Sequence, residues 1–134
     1  RNNTSLQIAE KLLELIERPS FLHPESTTPK KPWIFIGWWS QGHHGASCLT
    51  ISGTPGPGAH VHIDNVDLSS WQAQVSGTKR WLLRPPPECW WACHGDMEAR
   101  VSPGDIIVVN TNLWYHSTRI EGEDISLVIT NEFD

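Results

Sequence analysis

The sequence lacks any apolar run close to the roughly 20 residues that a membrane-spanning helix needs. It also lacks an excess of positive charge, because 10 Lys and Arg residues stand against 15 Asp and Glu residues, giving a net charge of -5 and a pI near 5.7. That balance argues against binding to nucleic acid or to an anionic membrane. We therefore expect partners that are neutral or basic, such as a protein side chain.

Cysteine is scarce, with 3 residues in a chain of 134. Cys89 and Cys93 flank a short stretch and could close a small disulfide loop in an oxidising compartment, which would leave Cys48 single. Overlapping glycosylation sequons begin at Asn2 and Asn3. Together these signals favour the secretory lumen or the extracellular space, with the cytoplasm or nucleus as the open alternative.

A chain of this length is expected to form a single domain with a core of its own. The N-terminal part predicts one helix, since the apolar residues between Leu6 and Ile16 recur at helical spacing and Pro19 ends the pattern. Short strands with dense turn residues follow, and they predict a sandwich or barrel of jelly-roll type. The predicted strands are Trp33–Trp39, Ser47–Ser52, His60–Asp64, Trp71–Val75, Lys79–Leu83, Ile106–Val109 and Ile125–Thr130.

A candidate metal site combines two distant segments of the sequence. Side chains two apart on a strand point to the same face, so His62 and Asp64 can bind one ion while a distant strand contributes His116. Two imidazoles and one carboxylate form the facial triad of non-haem Fe(II) oxygenases. Three coordination positions would then remain open for a co-substrate and oxygen.

Two other metal sites are compatible with the sequence. His60 shares the predicted face of His62 and, with Asp67, would resemble the metal motif of ordinary cupins, which include isomerases and proteins that bind small ligands. Cys89, Cys93 and His94 could bind zinc, although structural zinc requires four ligands and no fourth is nearby.

Several motifs in order make the likeness to one family specific. These segments resemble the JmjC and cupin-like family of Fe(II)- and 2-oxoglutarate-dependent oxygenases: His62–Asp64, Trp71–Trp81, Pro103–Ile107, Trp114–His116 and Thr130–Phe133. The likeness spans residues 33–134. It implies a double-stranded β-helix, the jelly-roll or cupin barrel, formed by residues 33–134, with the helix and loop of residues 1–32 packed on it.

The resemblance also implies roles for further residues. Lys79 falls where the family's lysine pairs with the distal carboxylate of 2-oxoglutarate, and Asn131 falls where an asparagine lies near that co-substrate. Ala59 departs from the pattern, because close relatives often have a hydroxyl there, and Thr50 or Ser52 is a candidate replacement. Ser69 or Ser70 falls at another position where relatives have an asparagine.

The implied activity is that of an Fe(II)/2-oxoglutarate dioxygenase, which uses O2 and releases succinate and CO2. Hydroxylation of a protein or peptide side chain is favoured over demethylation. Among the eight tryptophans, most are expected in the core, and the candidates for the substrate pocket are Trp38, Trp71 and Trp114. A catalytically inactive JmjC-like binding domain is a further alternative, which the intact triad disfavours.

Overall fold

Seven strands and one short 3-10 turn make up the regular structure of the described residues. The computed structural model describes Lys11, Glu14 and residues 17–28, 32–38 and 58–134. The strands are β1 Trp33–Gly37, β2 Ser69–Ser76, β3 Thr78–Arg84, β4 Met97–Val101, β5 Ile106–Val109, β6 Tyr115–Glu121 and β7 Ser126–Phe133, and the 3-10 turn is Pro87–Cys89.

The strands form two antiparallel sheets. The larger sheet has the order β1-β7-β2-β5 and the smaller one the order β4-β3-β6. The expectation of a mainly β structure is therefore confirmed, in the form of a β-sandwich. Each sheet contains strands from distant parts of the sequence.

The core lies between the two sheets. Trp81 and Val101 of the smaller sheet pack with Val109 of the larger one, and all three side chains are buried. Along β3, burial alternates as the period of a strand requires, since Lys79 is buried and Arg80 is exposed. The side chains of β3 that point inwards therefore share the interior with β5.

The turn between β2 and β3 is as the sequence predicts. Gly77 has a φ of 66°, a left-handed conformation that glycine adopts without strain. A Cβ atom there would also lie 2.7 Å from the carbonyl oxygen of Ile125. Gly77 thus allows both the tight turn and the close passage of the chain that enters β7.

Some of the predicted strands differ from the observed ones. Residues 60–64 do not form a strand, because only an isolated bridge between His62 and His116 links them to β6. The strand β4 was not predicted, and β6 was predicted only as a distant strand that contributes His116, without its bounds. Both alternate weakly between apolar and polar residues. Their outer faces carry charged side chains that form ion pairs across the smaller sheet, such as Glu98 of β4 with Arg80 of β3 and Glu121 of β6 with Arg100 of β4.

Two predictions concern residues outside the described ranges. The N-terminal helix falls on residues 6–16, of which only Lys11 and Glu14 are described, and the strand Ser47–Ser52 is not described at all. Within the described residues, no helix is long and apolar enough to cross a membrane.

Candidate metal centre

Three side chains predicted as metal ligands lie together. The nearest ligand atoms of His62, Asp64 and His116 all fall within 4.8 Å of one another. His62 Nε2 is 3.3 Å from Asp64 Oδ1, and His116 Nε2 is 3.7 Å from Asp64 Oδ2. Cis ligands on an octahedral ion with bonds of about 2.1 Å lie about 3 Å apart, so the two distances from the histidines to Asp64 are close to those expected around one ion.

The two histidines are opposite each other because their backbones pair. His62 N donates to His116 O at 3.0 Å, and His116 N donates to His62 O at 2.8 Å. Residues that exchange both hydrogen bonds in an antiparallel pair project to the same side. The ring centroids are consequently 4.2 Å apart.

Asp64 is positioned by the loop that precedes β6. Its backbone N–H donates to Thr111 O at 2.9 Å. The side chain of Asn112 accepts a hydrogen bond from Val66 N and donates one to Leu68 O. These contacts tie the chain beyond Asp64 to the loop, although the chain there is not part of a sheet.

The segment of residues 58–64 lies very close to β6. Ala59 N donates to Thr118 Oγ1, and Thr118 N donates to Ala59 O at 3.0 Å. A Cβ atom on Gly58 would collide with the backbone of Thr118. Only glycine therefore permits this approach, and no motif in the sequence singled it out as a determinant of the site.

Backbone carbonyl groups orient both imidazole rings. His62 Nδ1 is 2.7 Å from His60 O, and His116 Nδ1 is 3.1 Å from Trp114 O. A carbonyl oxygen can only accept, so we assign the ring hydrogen to Nδ1 in each histidine. The Nε2 atom of each histidine then carries the lone pair and faces Asp64. Metal-binding histidines commonly bind the metal through one ring nitrogen while the other donates to a carbonyl group.

The environments of the two histidines differ. His116 is 3% exposed and stacks on Trp81 with ring centroids 5.6 Å apart. Burial lowers the pKa of His116, and this outweighs the opposing effects of its hydrogen bond to Trp114 and of the Asp64 charge. The neutral form that ligates metals is thus favoured. In contrast, the side chains of His62 and Asp64 are 33% and 31% exposed, so one side of the group faces solvent.

The alternative metal sites are not formed among the described residues. His60 is exposed, and the group of potential ligands includes neither it nor Asp67. Cys89 and Cys93 form a disulfide with Cα atoms 5.5 Å apart, so their thiolates are not available to zinc.

Lys79 lies in the interior, as its position on β3 predicts. It is 8% exposed, and its Nζ lies 5.9 Å from the centroid of the Phe35 ring. A buried ammonium group is stable only with compensating partners. Its predicted role, binding the co-substrate, remains a prediction.

The strand register separates Asn131 from the interior. Asn131 pairs with Trp71, and Trp71 pairs with Val108, which is 47% exposed. Paired residues share a face, so Asn131 and Trp71 lie on the face of the larger sheet that points away from the core, where both are buried. Ser70 pairs instead with Val109 and is 3% exposed on the interior face.

We refer to His62, Asp64 and His116 together as the metal group. The other residues predicted for the site lie at different places in the fold. Trp114 is partly buried, packs against the core and contributes the carbonyl group that orients His116. Trp38 follows β1 and is half-buried. Trp71 lies on the outer face of the larger sheet, and its place in a substrate pocket stays a prediction. Thr50 lies outside the described residues.

A pocket of about 540 Å³ lies behind the two histidines. Val61 and Tyr115, the chain neighbours of His62 and His116, contribute to its lining, and so do Trp90 and the ion pair of Arg84 with Asp96. Adjacent residues of extended chain point to opposite faces. The two paired segments that contain His62 and His116 therefore present the metal ligands on one face and line this pocket with the other face.

Comparison with known proteins gives one short likeness. A segment of 36 residues is 44% identical to the arginine-specific demethylase JMJ22 of Arabidopsis thaliana, covering 27% of this chain and 7% of that protein. No family model matches the chain, and no solved structure matches it significantly. The likeness supports a JmjC-like segment, and the chain spans a small fraction of that relative's length.

Proposed function

We propose that this protein is an Fe(II)- and 2-oxoglutarate-dependent dioxygenase. The observation that carries the proposal is the metal group, in which two oriented imidazoles and one carboxylate face a common point from one side. That donor set is typical of non-haem Fe(II) oxygenases. The two antiparallel sheets are compatible with the double-stranded β-helix of that superfamily, and the short likeness to a JmjC arginine demethylase agrees with it.

His62, Asp64 and His116 would hold the iron. Bound there, it would activate O2 for oxidation of a C–H bond, with 2-oxoglutarate converted to succinate and CO2. The protein keeps one side of the metal group open, since His62 and Asp64 are partly exposed. The backbone hydrogen bonds between His62 and His116, and the two carbonyl groups that orient their rings, also hold the ligands in place before the ion binds. Little reorganisation is therefore needed when the metal binds.

Lys79 is the candidate partner of the distal carboxylate of 2-oxoglutarate. Its ammonium group is buried on the interior face of β3, the same face from which Trp81 stacks on His116. A carboxylate of 2-oxoglutarate could pair with that ammonium group inside the protein. Ser70, also buried on the interior face, is a candidate hydroxyl donor for the same ligand.

We propose a protein or peptide as the substrate, modified by hydroxylation of a side chain. The net charge of -5 favours a basic partner. The Arabidopsis relative is named as an arginine-specific demethylase. Oxidative removal of a methyl group also begins at a C–H bond, so both reactions would use the same three ligands.

An anaerobic titration tests the proposal directly. Fe(II)-loaded protein is titrated with 2-oxoglutarate, and the visible metal-to-ligand charge-transfer band is measured. We expect the band in the wild type, its loss in His62→Ala and a higher 2-oxoglutarate requirement in Lys79→Ala. His60→Ala is the matched control, because His60 is exposed and outside the ligand group, and it should keep the band.

Absence of the band in protein that demonstrably contains iron would refute the oxygenase proposal. Loss of the band in His60→Ala, with retention in a variant of His116, would instead favour the cupin arrangement.

A further inference from the structure

The hydroxyl group of Thr111 is buried without a hydrogen-bond partner. Thr111 is 0% exposed, and its Oγ1 is one of two buried side-chain polar atoms of the described residues that make no hydrogen bond. The other is Trp71 Nε1, on the outer face of the larger sheet. Proteins rarely leave a buried hydroxyl unpaired, because it loses its hydrogen bonds to water and gains none in return. An exception of this kind is often explained by a bound ion or a functional role.

Thr111 lies directly beside Asp64 of the metal group. Its carbonyl oxygen accepts the hydrogen bond from Asp64 N at 2.9 Å. Residues joined by such a backbone hydrogen bond have Cα atoms about 5 to 6 Å apart, so two short side chains can reach each other. The turn that contains Thr111 is itself held by hydrogen bonds from Leu113 N and Trp114 N to Asn110 O. The buried hydroxyl is therefore anchored next to a candidate metal ligand.

Among the described residues, no group donates a hydrogen bond to the carboxylate of Asp64. Its polar neighbours are Nε2 of His62 at 3.3 Å and Nε2 of His116 at 3.7 Å. With the ring hydrogens on Nδ1, neither Nε2 can donate. A carboxylate that ligates a metal commonly accepts a hydrogen bond from a neighbouring group, which fixes its orientation. Thr111 carries the donor that Asp64 lacks.

We propose that Thr111 is a positioning residue for Asp64, and that its hydroxyl donates to the carboxylate oxygen that does not bind the ion. This inference rests on the proposed function, since it concerns the same metal group. A carboxylate held in this way binds the ion through one oxygen, which leaves further coordination positions open to other ligands. Metal binding thereby provides the partner that the buried hydroxyl lacks in the metal-free protein.

Titration of the metal-free protein with Ni(II) tests the inference, with the dissociation constant and the Tm as readouts. Thr111→Val keeps the shape of the side chain and removes the hydroxyl. We expect the dissociation constant for Ni(II) to rise about tenfold or more in this variant. Its Tm without metal should equal or exceed that of the wild type, because an apolar group replaces an unpaired hydroxyl. Thr111→Ser keeps the hydroxyl and should bind Ni(II) almost as tightly as the wild type.

The matched control is Thr130→Val. Thr130 is also buried, at 1% exposure, but its hydroxyl donates to Trp71 O at 2.6 Å. We expect the opposite result there, with a lower Tm because a hydrogen bond is lost and with unchanged affinity for Ni(II). A double-mutant cycle separates the route of the effect. In an Asp64→Ala background the carboxylate is absent, so Thr111→Val should cause no further loss of Ni(II) affinity.

Equal affinity for Ni(II) in Thr111→Val and the wild type would overturn the inference. A loss of the same size in the Asp64→Ala background would also overturn it, because Thr111 would then not act through Asp64. If Thr111→Val does not fold, Thr111→Ser and Thr111→Ala decide, since they differ by the hydroxyl alone. Ni(II) binding needs neither 2-oxoglutarate nor O2. An effect of Thr111 without a charge-transfer band would therefore refute the oxygenase proposal alone, and a band without an effect of Thr111 would refute this inference alone.

Discussion

His62 and His116 exchange both of their backbone hydrogen bonds, at 3.0 and 2.8 Å, and this pair holds their ring centroids 4.2 Å apart. The pair is an isolated bridge outside the named strands. Two of the three candidate ligands are therefore brought together by one backbone contact between distant segments, and the third, Asp64, follows two residues later. The predictions below test this arrangement and its surroundings.

Metal ions should stabilise the protein through Asp64. A divalent ion such as Ni(II) at 100 times its dissociation constant adds about 2.7 kcal/mol to the free energy of unfolding, and Tm should rise accordingly. Asp64→Asn should reduce the shift strongly, because it removes the anionic ligand. Asp67→Asn, at an exposed residue outside the group, is the control. An equal Tm shift in both variants would contradict the assignment.

Gly58 should be required for metal binding. In Gly58→Ala the new methyl group would collide with the backbone of Thr118, so the 58–64 segment must move away from β6. We expect metal affinity to fall by tenfold or more, while the two sheets keep their circular dichroism. Gly95→Ala is the control, since nothing lies within 4 Å of a Cβ atom there. Unchanged metal affinity in Gly58→Ala would show that the close approach is not needed.

Glu121 should make stability depend on pH in the acidic range. Its hydrogen bonds with Arg80 and Arg100 lower its pKa below the ordinary value of 4.5. A carboxyl group with a lowered pKa stabilises the folded state above its unfolded pKa, and the contribution disappears as pH falls through the folded pKa. Unfolding measured from pH 6 to pH 3 should thus show a smaller loss of stability in Glu121→Gln than in the wild type.

The matched control for that measurement is Glu123→Gln, at an exposed residue. Its pH dependence should follow that of the wild type. Identical slopes in all three proteins would mean that the ion pairs on the outer face of the smaller sheet contribute nothing.

The disulfide should be visible as a thiol count. With Cys89 and Cys93 joined, denatured but unreduced protein should expose one reactive thiol, and reduction should raise the count to the three cysteines of the sequence. Chain entropy predicts that Cys89→Ser lowers stability by about 2 kcal/mol, because the closed loop is short. Cys48→Ser, which leaves the disulfide in place, is the control. Three reactive thiols before reduction would contradict the bond.

The sequence predicted the strands whose alternation is clear and whose turns contain glycine, as at Gly77. It also predicted the metal group, because His62, Asp64 and His116 are types that bind metals at a characteristic spacing. It did not predict β4 or the bounds of β6, since the outer faces of these strands are charged and their apolar periodicity is weak. Ion pairs across strands, which stabilise those faces, have no local signal in a sequence.

The position of Asn131 illustrates a different limit. A shift of one residue in register exchanges the two faces of a strand, so a motif alone does not determine which of two neighbouring side chains faces the interior. The structure puts Thr130 and Glu132 on the interior face, and Asn131 on the other. Thr130, Asn131 and Glu132 are all polar, so the sequence has no alternation of apolar and polar residues here that would show which side chains face the core.

Since residues 58–64 are attached to β6 by an isolated bridge and a few separate hydrogen bonds, this segment can detach while both sheets stay intact. The rate at which a bound ion leaves would then be set by the opening of this segment. Substitutions that strengthen the core around Trp81 would raise the melting temperature without lengthening the residence time of the metal, whereas changes at Ala59 or Asn112 would alter that residence time with little effect on melting.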